Sequence, residues 1–385
     1  MERTVQIGLV FEHGIGYCRG VLRGIKRFAE TRPNWVLLPV QPDPKAIRSL
    51  ARVGPHGLIS YAYLEPVVRM LMGMQKPWVS VCGALPDMGL PRVGPDDAQI
   101  GRLAASHFLD RGIRHFGFIG QARHAGSFRR GDGFRSAVEG AGYSVAWYEE
   151  RGPRQFDPTP DRRAFERFRR WALTLPKPVG VLGSYDILGL QIAEVCRQEG
   201  LRVPDDVAII GVGNDDLVCE LARPSLSSVA TPAGPIGYEA SAMLERLMAG
   251  ARPPKEPVLL PPLGVVTRQS SDVLAIDDPE VALAVSLIRR KGHEPIRVGD
   301  ILREVLVSRR SLERKFRKVL KRGMSEEIRH THMERAKGLL GDTELSMQLV
   351  AERAGFSNPR HFCVVFRQET GMTPTAYRRQ FREEP

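Results

Sequence analysis

Between residue 4 and about residue 265, short apolar runs alternate with longer stretches whose apolar positions fall three and four apart. The short runs read as strands at 4–11, 35–40, 57–61, 77–82, 115–119, 144–148, 179–182, 207–212 and 257–260. Brief, largely apolar runs suit strands covered on both faces, whereas the three-and-four spacing marks one face of a helix. Val21, Leu22, Ile25 and Phe28 keep the helical spacing, as do Ile100, Leu103, Ala104 and Phe108, and Ile187, Leu190, Ile192 and Val195. Strand–helix alternation of this regularity predicts parallel, doubly wound α/β sheets. The stretch is long for a single sheet, so two lobes with a cleft between them are expected.

The pattern breaks near 268–280. Arg268-Gln269-Ser270-Ser271-Asp272 and Asp277-Asp278-Pro279 read as a polar linker with a turn, and beyond Pro279 only helical patterning remains. The expected layout is a two-lobed α/β domain at 1–270, a linker at 271–280 and an all-α domain at 281–385.

The last of these repeats itself. Val298 to Arg317 and Met347 to Arg367 each read as a short helix, a tight turn, a serine able to cap a helix, and a second helix. Leu312 with Phe316, and Phe362 with Phe366, are the anchors expected in its core, four residues apart. Glu326 to Leu340 supplies a connecting helix. This is helix-turn-helix twice over, and in such a unit the second helix lies in the major groove of DNA. Burying the anchors leaves Arg309, Arg310, Glu313, Arg314 and Arg317 open in the first copy. In the second it leaves Arg360, His361, Cys363, Val364 and Arg367. Arg310 and Arg314 can each fork onto a guanine, and Glu313 can accept from a cytosine amine. A merely solvated basic face would explain one such helix, but not two in matched register.

Charge points the same way. The chain carries a net +12, and residues 280–385 hold 22 Lys and Arg against 14 Asp and Glu, two thirds of the surplus. A compact basic module is the electrostatic footprint of a nucleic-acid binder. With 42% apolar and 26% charged residues, wholesale disorder is excluded. No run approaches the roughly 18 apolar residues of a membrane span. Met1-Glu2-Arg3-Thr4 leads directly into Val5–Phe11 without a cleavage site, so no secretory signal is read. Five scattered cysteines (18, 82, 196, 219 and 363) fit a reducing cytoplasm.

In open α/β sheets, ligands bind beyond the carboxyl ends of the strands. The polar groups expected there are Glu12, His13, Asp96, Asp186 and Asp215, with Arg130 opening a helix that leads to Phe134. Asp96 and Asp186 also sit where a helix N-cap belongs, a purely structural alternative. Trp78 reads as core. Gly14-x-Gly16-x-x-x-Gly20 follows the first strand, but it is one residue too long for a dinucleotide fingerprint and no acidic residue ends the next strand. None of the ten lysines precedes Ser or Thr, which excludes a Walker A loop, and neither His-Glu-x-x-His nor Gly-x-Ser-x-Gly occurs. No catalysis, cofactor or metal is expected.

Two sets of residues carry a resemblance. Ser308 to Arg317, Ala351-Glu352-Arg353-Ala354-Gly355-Phe356-Ser357-Asn358-Pro359, and Phe366 to Pro374 resemble the AraC family DNA-binding domain over about 280–381. That resemblance implies a unit placing two helices in successive major grooves. Leu306 stands where the second copy has Gly355, and Lys321 where it has Gly371; Val364 takes the place of a polar base-contacting residue. Gly211-Val212-Gly213-Asn214-Asp215-Asp216, Pro224 to Val229, Ile236 to Ala240, Leu259 to Leu263 and Arg129 to Phe134 resemble the effector domain of lac-repressor-type, periplasmic-binding-protein-like regulators. That resemblance implies sugar contacts at Arg130, Asp186 and Asp215, with Asp96 a fourth. Tyr185 replaces the asparagine usual before the second aspartate.

A sensor of this kind joined to a C-terminal AraC domain resembles the xylose operon regulators. The resemblance implies a cytoplasmic activator of sugar uptake or catabolism genes, acting as a homodimer on promoter DNA. Its further partners would be RNA polymerase and a small sugar effector, D-xylose foremost, with no membrane. The rivals are a soluble sugar-binding protein without a promoter function, and a regulator answering to a different, non-pentose ligand.

Overall fold

The computed structural model describes residues 4–84, 89–122, 124–150, 162–273, 276, 278–320 and 322–381. Its elements follow in chain order. The first lobe opens with β1 (Val5–Val10), α1 (Gly16–Ala29), β2 (Trp35–Val40), α2 (Pro44–Val53), β3 (Gly57–Ser60), α3 (Glu65–Met72) and β4 (Trp78–Ser80). Then come β5 (Val93–Pro95), α4 (Asp97–Leu109), β6 (His115–Gln121), α5 (Ala125–Gly140), β7 (Val145–Glu150), α6 (Arg162–Thr174), β8 (Val179–Gly183), α7 (Asp186–Gln198), β9 (Val207–Gly213), α8 (Asp216–Leu221) and β10 (Ser227–Ala230). The chain continues with α9 (Ala233–Met248), β11 (Val258–Leu260), β12 (Gly264–Val266) and a 3-10 turn at Gln269–Ser271. Seven helices close it: α10 (Pro279–Arg290), α11 (Val298–Val305), α12 (Arg309–Leu320), α13 (Met324–Asp342), α14 (Met347–Arg353), α15 (Pro359–Thr370) and α16 (Pro374–Phe381).

All nine expected strands are present. Eight of them lie in two main sheets, one ordered β2-β1-β3-β4 and the other β12-β10-β9-β8-β6-β7, in which β12 alone runs antiparallel; the ninth, β11, pairs with β5 in a two-stranded sheet. β3 and β8 are buried from end to end, as strands with helices on both faces must be. The chain crosses between lobes three times: through β5 into α4, from β10 into α9, and back through β11, which pairs with β5. Helix α9 thereby returns to the first lobe, where Ile236, Ala240 and Leu244 share a core with Val21 and Ile25 of α1. Trp78 is core, and its indole N–H donates to Ser60 Oγ at 2.9 Å.

Helix boundaries follow local chemistry. Asp43, Asp278 and Asn358 accept backbone N–H bonds as N-caps ahead of Pro44, Pro279 and Pro359, whose missing N–H costs nothing in a first turn. α4 and α5 approach so closely that a side chain at Gly101 would overlap the Arg130 carbonyl, and one at Gly133 the Ala98 carbonyl.

The helical half carries the repeat. Leu312 and Phe316 of α12, and Phe362 and Phe366 of α15, are fully buried. The turn before α14's partner helix uses Gly355 at φ +84, and the equivalent turn before α12 uses Leu306 at φ +58. Leu306 is thus a branched side chain in the left-handed region that glycine favours, and it stands 85% exposed. Lys321, and residues 274, 275 and 277 of the linker, lie outside the described residues.

Candidate functional site

The carboxyl ends of both sheets face one cleft. From the first lobe come Ile15, Gly16 and Tyr17 at the start of α1, Tyr61 after β3, and Val81 and Gly83 after β4. From the second come Asp97, His124, Gly126, Arg130, Tyr185, Asp186, Gly213, Asp215 and Thr231. The cleft encloses about 720 Å³ of empty space, mouth included.

Charged groups in the cleft are clasped in pairs. Asp215 accepts the backbone N–H of Gly16 at 2.9 Å and pairs with Arg19 at 3.3 Å, so it bridges the lobes. Asp97, almost fully buried, accepts from Arg130 Nε at 2.9 Å and from Arg129 Nη2 at 3.2 Å. Arg130 also donates to the Ser184 carbonyl at 2.6 Å, and Arg129 to the Gly83 carbonyl of the other lobe at 3.0 Å. Burial would lower the Arg130 pKa, but the Asp97 carboxylate more than offsets it, so the guanidinium stays charged. Asp186 accepts the Asp215 N–H at 2.8 Å and the Ser228 hydroxyl at 2.5 Å. Burial pushes its carboxyl up to about 6 despite those two donors.

The walls are aromatic. Tyr17 and Tyr61 lie 5.6 Å apart, centroid to centroid, with the Tyr17 hydroxyl donating to the Val81 carbonyl. Tyr185 carries the Arg130 guanidinium 4.8 Å from its ring centre. Thr231 Oγ1 is buried at the cleft without a hydrogen-bond partner among the described residues.

Arg130, Asp186 and Asp215 therefore converge, whereas Asp96 and Glu12 do not. Asp96 is the N-cap of α4 and accepts from Gln99 N–H at 2.8 Å, leaving its neighbour Asp97 to face the cleft. Glu12 is held by the Tyr63 hydroxyl at 2.8 Å, outside the cleft lining, and His13 contacts Gln41. Two local expectations also change. Asp186 is the first residue of α7 rather than its cap, and Arg130 lies in the second turn of α5, which begins at Ala125 with His124 as cap. Gly16 and Tyr17 at the start of α1, Tyr61, His124 and Thr231 escape sequence reading because they come from four separate places along the chain. The one signal was the glycine pair at 14 and 16, which marks close backbone approach.

On the helical half, Arg309, Arg310, Arg314, Arg360, His361 and Arg367 are exposed. None of these arginines has a carboxylate partner among the described residues, so their charge is available to phosphate or base edges. Glu313 differs: it is half-buried, with its carboxylate beside Gly323 rather than on the open face. Lys315 is turned inward onto Asp278 and Glu280.

The two halves meet at the end of α4. Asp110 follows that helix and pairs with Arg322 at 2.7 Å and with His330 of α13 at 2.9 Å. Arg322 also holds the buried Glu327. One turn earlier, the buried His107 contacts Ser271 Oγ at 2.8 Å. A second bridge runs from the Tyr377 hydroxyl of α16 to the Leu263 carbonyl at 2.6 Å.

Among the described residues no group of three or more His, Cys, Asp or Glu could hold a metal ion, and no helix is long and apolar enough to cross a membrane. Residues 105–271 match the periplasmic binding protein-like domain family, and residues 301–380 match a helix-turn-helix domain family. The chain is 26% identical to the xylose operon regulatory protein of Haemophilus influenzae over 385 residues, which span 98% of this chain and 99% of that protein. It is 27% identical to the protein of that name from Escherichia coli, over 97% and 96% of the two chains. The solved structure of a xylose-binding transcription activator aligns with a TM-score of 0.63 at 26% identity, covering 99% of this chain and 100% of that one.

Proposed function

We propose that this DNA-binding transcription regulator, a homologue of the xylose operon regulatory proteins, answers to a small neutral sugar in its interlobe cleft, D-xylose foremost. The observation that carries this reading is the balance of the cleft. Each carboxylate that lines the cleft is already held by the protein: Asp97 by Arg129 and Arg130, Asp215 by Arg19 and the Gly16 N–H, and Asp186 by Ser228 and the Asp215 N–H. Such a lining suits a neutral polyhydroxyl ligand better than an anion or a cation, because a net-charged ligand would leave one charge in the cleft uncompensated. Tyr17 and Tyr61 offer apolar ring surface for the C–H face of a sugar.

The route from cleft to DNA is helix α4. Its first residue, Asp97, holds Arg129 and Arg130 at the cleft, and the residue after its last, Asp110, holds Arg322 and His330 of the helical half. Sugar that favours the closed pair of lobes shifts α4 and α5 as one packed unit and thereby re-aims α12 and α15. That coupling requires the sugar to bind the two states with different affinity. In this reading residues 1–270 sense, 271–280 link and 281–385 read DNA. A homodimer presents four reading helices, and the outcome is activation, with RNA polymerase the further partner. Calorimetric titration with D-xylose tests it: saturable binding is expected, lost in Asp215→Ala. Failure of the wild-type chain to bind any pentose or hexose would overturn it.

A further inference from the structure

Two arginines from opposite lobes meet beside Gly83, outside the lining of the cleft. Arg92 belongs to the first lobe. It precedes β5, its backbone bridges to Ser80 of β4, and its carbonyl accepts the Val258 N–H of β11 at 2.9 Å. Arg129 comes from α5 of the second lobe and reaches across to the Gly83 carbonyl at 3.0 Å. Gly83 leaves room for both side chains: a Cβ there would lie 2.8 Å from Arg129 Nη2 and 3.0 Å from Arg92 Nη1. The two nitrogens are thus no farther apart than the sum of those distances, close enough for their charges to repel.

Of the two, Arg129 is compensated. Asp97 accepts from its Nε at 3.3 Å and its Nη2 at 3.2 Å, while the other Asp97 oxygen is taken by Arg130 Nε. Arg92 Nη1 is buried and has no hydrogen-bond partner among the described residues. Burial first, and then the Arg129 charge, lowers the Arg92 pKa, with Asp97 opposing. A guanidinium stays charged all the same. Three cations therefore crowd one carboxylate, and a buried charged donor goes unmet, which is unfavourable.

We infer that Arg92 is an opening spring. Its charge raises the free energy of the closed lobes, favours the open ligand-free chain, and so sets the sugar concentration at which the regulator responds. When the lobes part, Arg129 withdraws with α5 and water reaches Arg92, so the penalty belongs to the closed arrangement alone. This rests on the sugar reading above and adds the regulation of that cleft. Arg92 does not line the cleft, so it acts on closure and not on any one sugar hydroxyl. A ligand that needs the closed state binds with its intrinsic affinity scaled by the fraction already closed. Releasing the spring therefore tightens every sugar the cleft accepts by one common factor.

The test is calorimetric titration of the full chain with D-xylose, L-arabinose, D-ribose and D-glucose, beside small-angle X-ray scattering without sugar. Arg92→Met and Arg92→Gln remove the charge with different side chains, so one misfolded variant does not end the test; Arg92→Lys keeps it. Either neutral variant should bind each sugar that the wild type binds roughly 5- to 30-fold more tightly, with the rank order kept. Its ligand-free scattering should be more compact, and Arg92→Lys should stay close to the wild type in both measurements. Unchanged or weaker affinity in a folded neutral variant, a gain confined to one sugar, or the same gain in Arg92→Lys overturns the inference and leaves the sugar reading intact. A wild-type chain that binds none of the sugars overturns the sugar reading. The ligand-free scattering then decides the spring alone, and equal dimensions in the wild type and a folded neutral variant overturn it.

Discussion

The backbone N–H of Gly16 and the carboxylate of Asp215 meet across the cleft at 2.9 Å, one from each lobe. Gly16 opens α1, where the first-turn N–H groups have no partner within the helix, so an anion is favoured there. A Cβ at position 16 would overlap the Asp215 carboxylate. Gly16→Ala should therefore oppose closure and leave each lobe's own fold intact. An overpacking cost of about 1–3 kcal/mol, felt by the closed state alone, lowers sugar affinity by roughly 5- to 150-fold. Calorimetric titration beside a melting curve checks this, and equal affinity in the variant would show that the lobes close without this contact.

Arg310 and Arg314 stand exposed and unpaired on α12, so their removal should be felt on DNA and little in folding. Each alanine variant should cost about 1–3 kcal/mol on the preferred sequence and relax the choice of base, if the guanidinium forks onto guanine. Anisotropy titrations on selected and random duplexes separate base contact from phosphate contact. Equal losses on both duplexes would place that arginine on the backbone.

Leu306 and Gly355 occupy matching turns, and opposite substitutions should have opposite effects. Leu306→Gly removes a side chain from φ +58 that buries almost nothing, so it should stabilise the chain by up to about 1 kcal/mol. Gly355→Ala forces a Cβ into φ +84, 2.5 Å from His332 Nε2 and 2.7 Å from the Glu294 carbonyl. It should destabilise by about 1–3 kcal/mol. Urea denaturation followed by circular dichroism measures both.

The junction of the two halves should depend on pH. Burial alone would lower the His330 pKa, but its bond to Asp110, with Glu334 near and Arg322 opposing, raises it. Burial likewise opposes ionisation of Asp110, and His330, Arg322 and Arg111 outweigh it and hold its pKa low. A raised histidine pKa adds stability that is complete below about pH 6.5 and fades as pH rises through the folded value. The lowered aspartate adds stability that is complete above about pH 3.9 and fades as pH falls through its folded value. The pair is thus strongest in the mildly acidic range. Melting temperatures of wild type and His330→Gln should converge between pH 6 and 8.5; a constant gap would mean that the imidazolium contributes nothing.

Much of this was legible in the chain. The nine strands that sequence patterning predicts fall within largely apolar runs, even where the strand itself is as short as β4 or β11, and the helical repeat announced itself through its anchors. β5, β10 and β12 were not legible, because glycine and proline break Val93-Gly94-Pro95, glycine heads Gly264-Val265-Val266, and Ser227-Ser228 at the head of β10 reads as a turn. Their polar groups are satisfied only in three dimensions, as when Ser227 N–H finds Ser270 Oγ. The tandem Asp96-Asp97 shows the same limit at the site. Either can begin a helix, and a turn of about 100° decides which one caps it and which one faces Arg130. His124 and Tyr185 lie 61 residues apart, and nothing in the pattern pairs them.

The most direct test of sugar control is the affinity of the full chain for a duplex selected from random sequence, measured with and without saturating D-xylose. Coupling through α4 predicts a change of about 5- to 150-fold, abolished in Asp215→Ala. An affinity that D-xylose leaves unchanged, in protein shown by calorimetry to have bound it, would contradict the account.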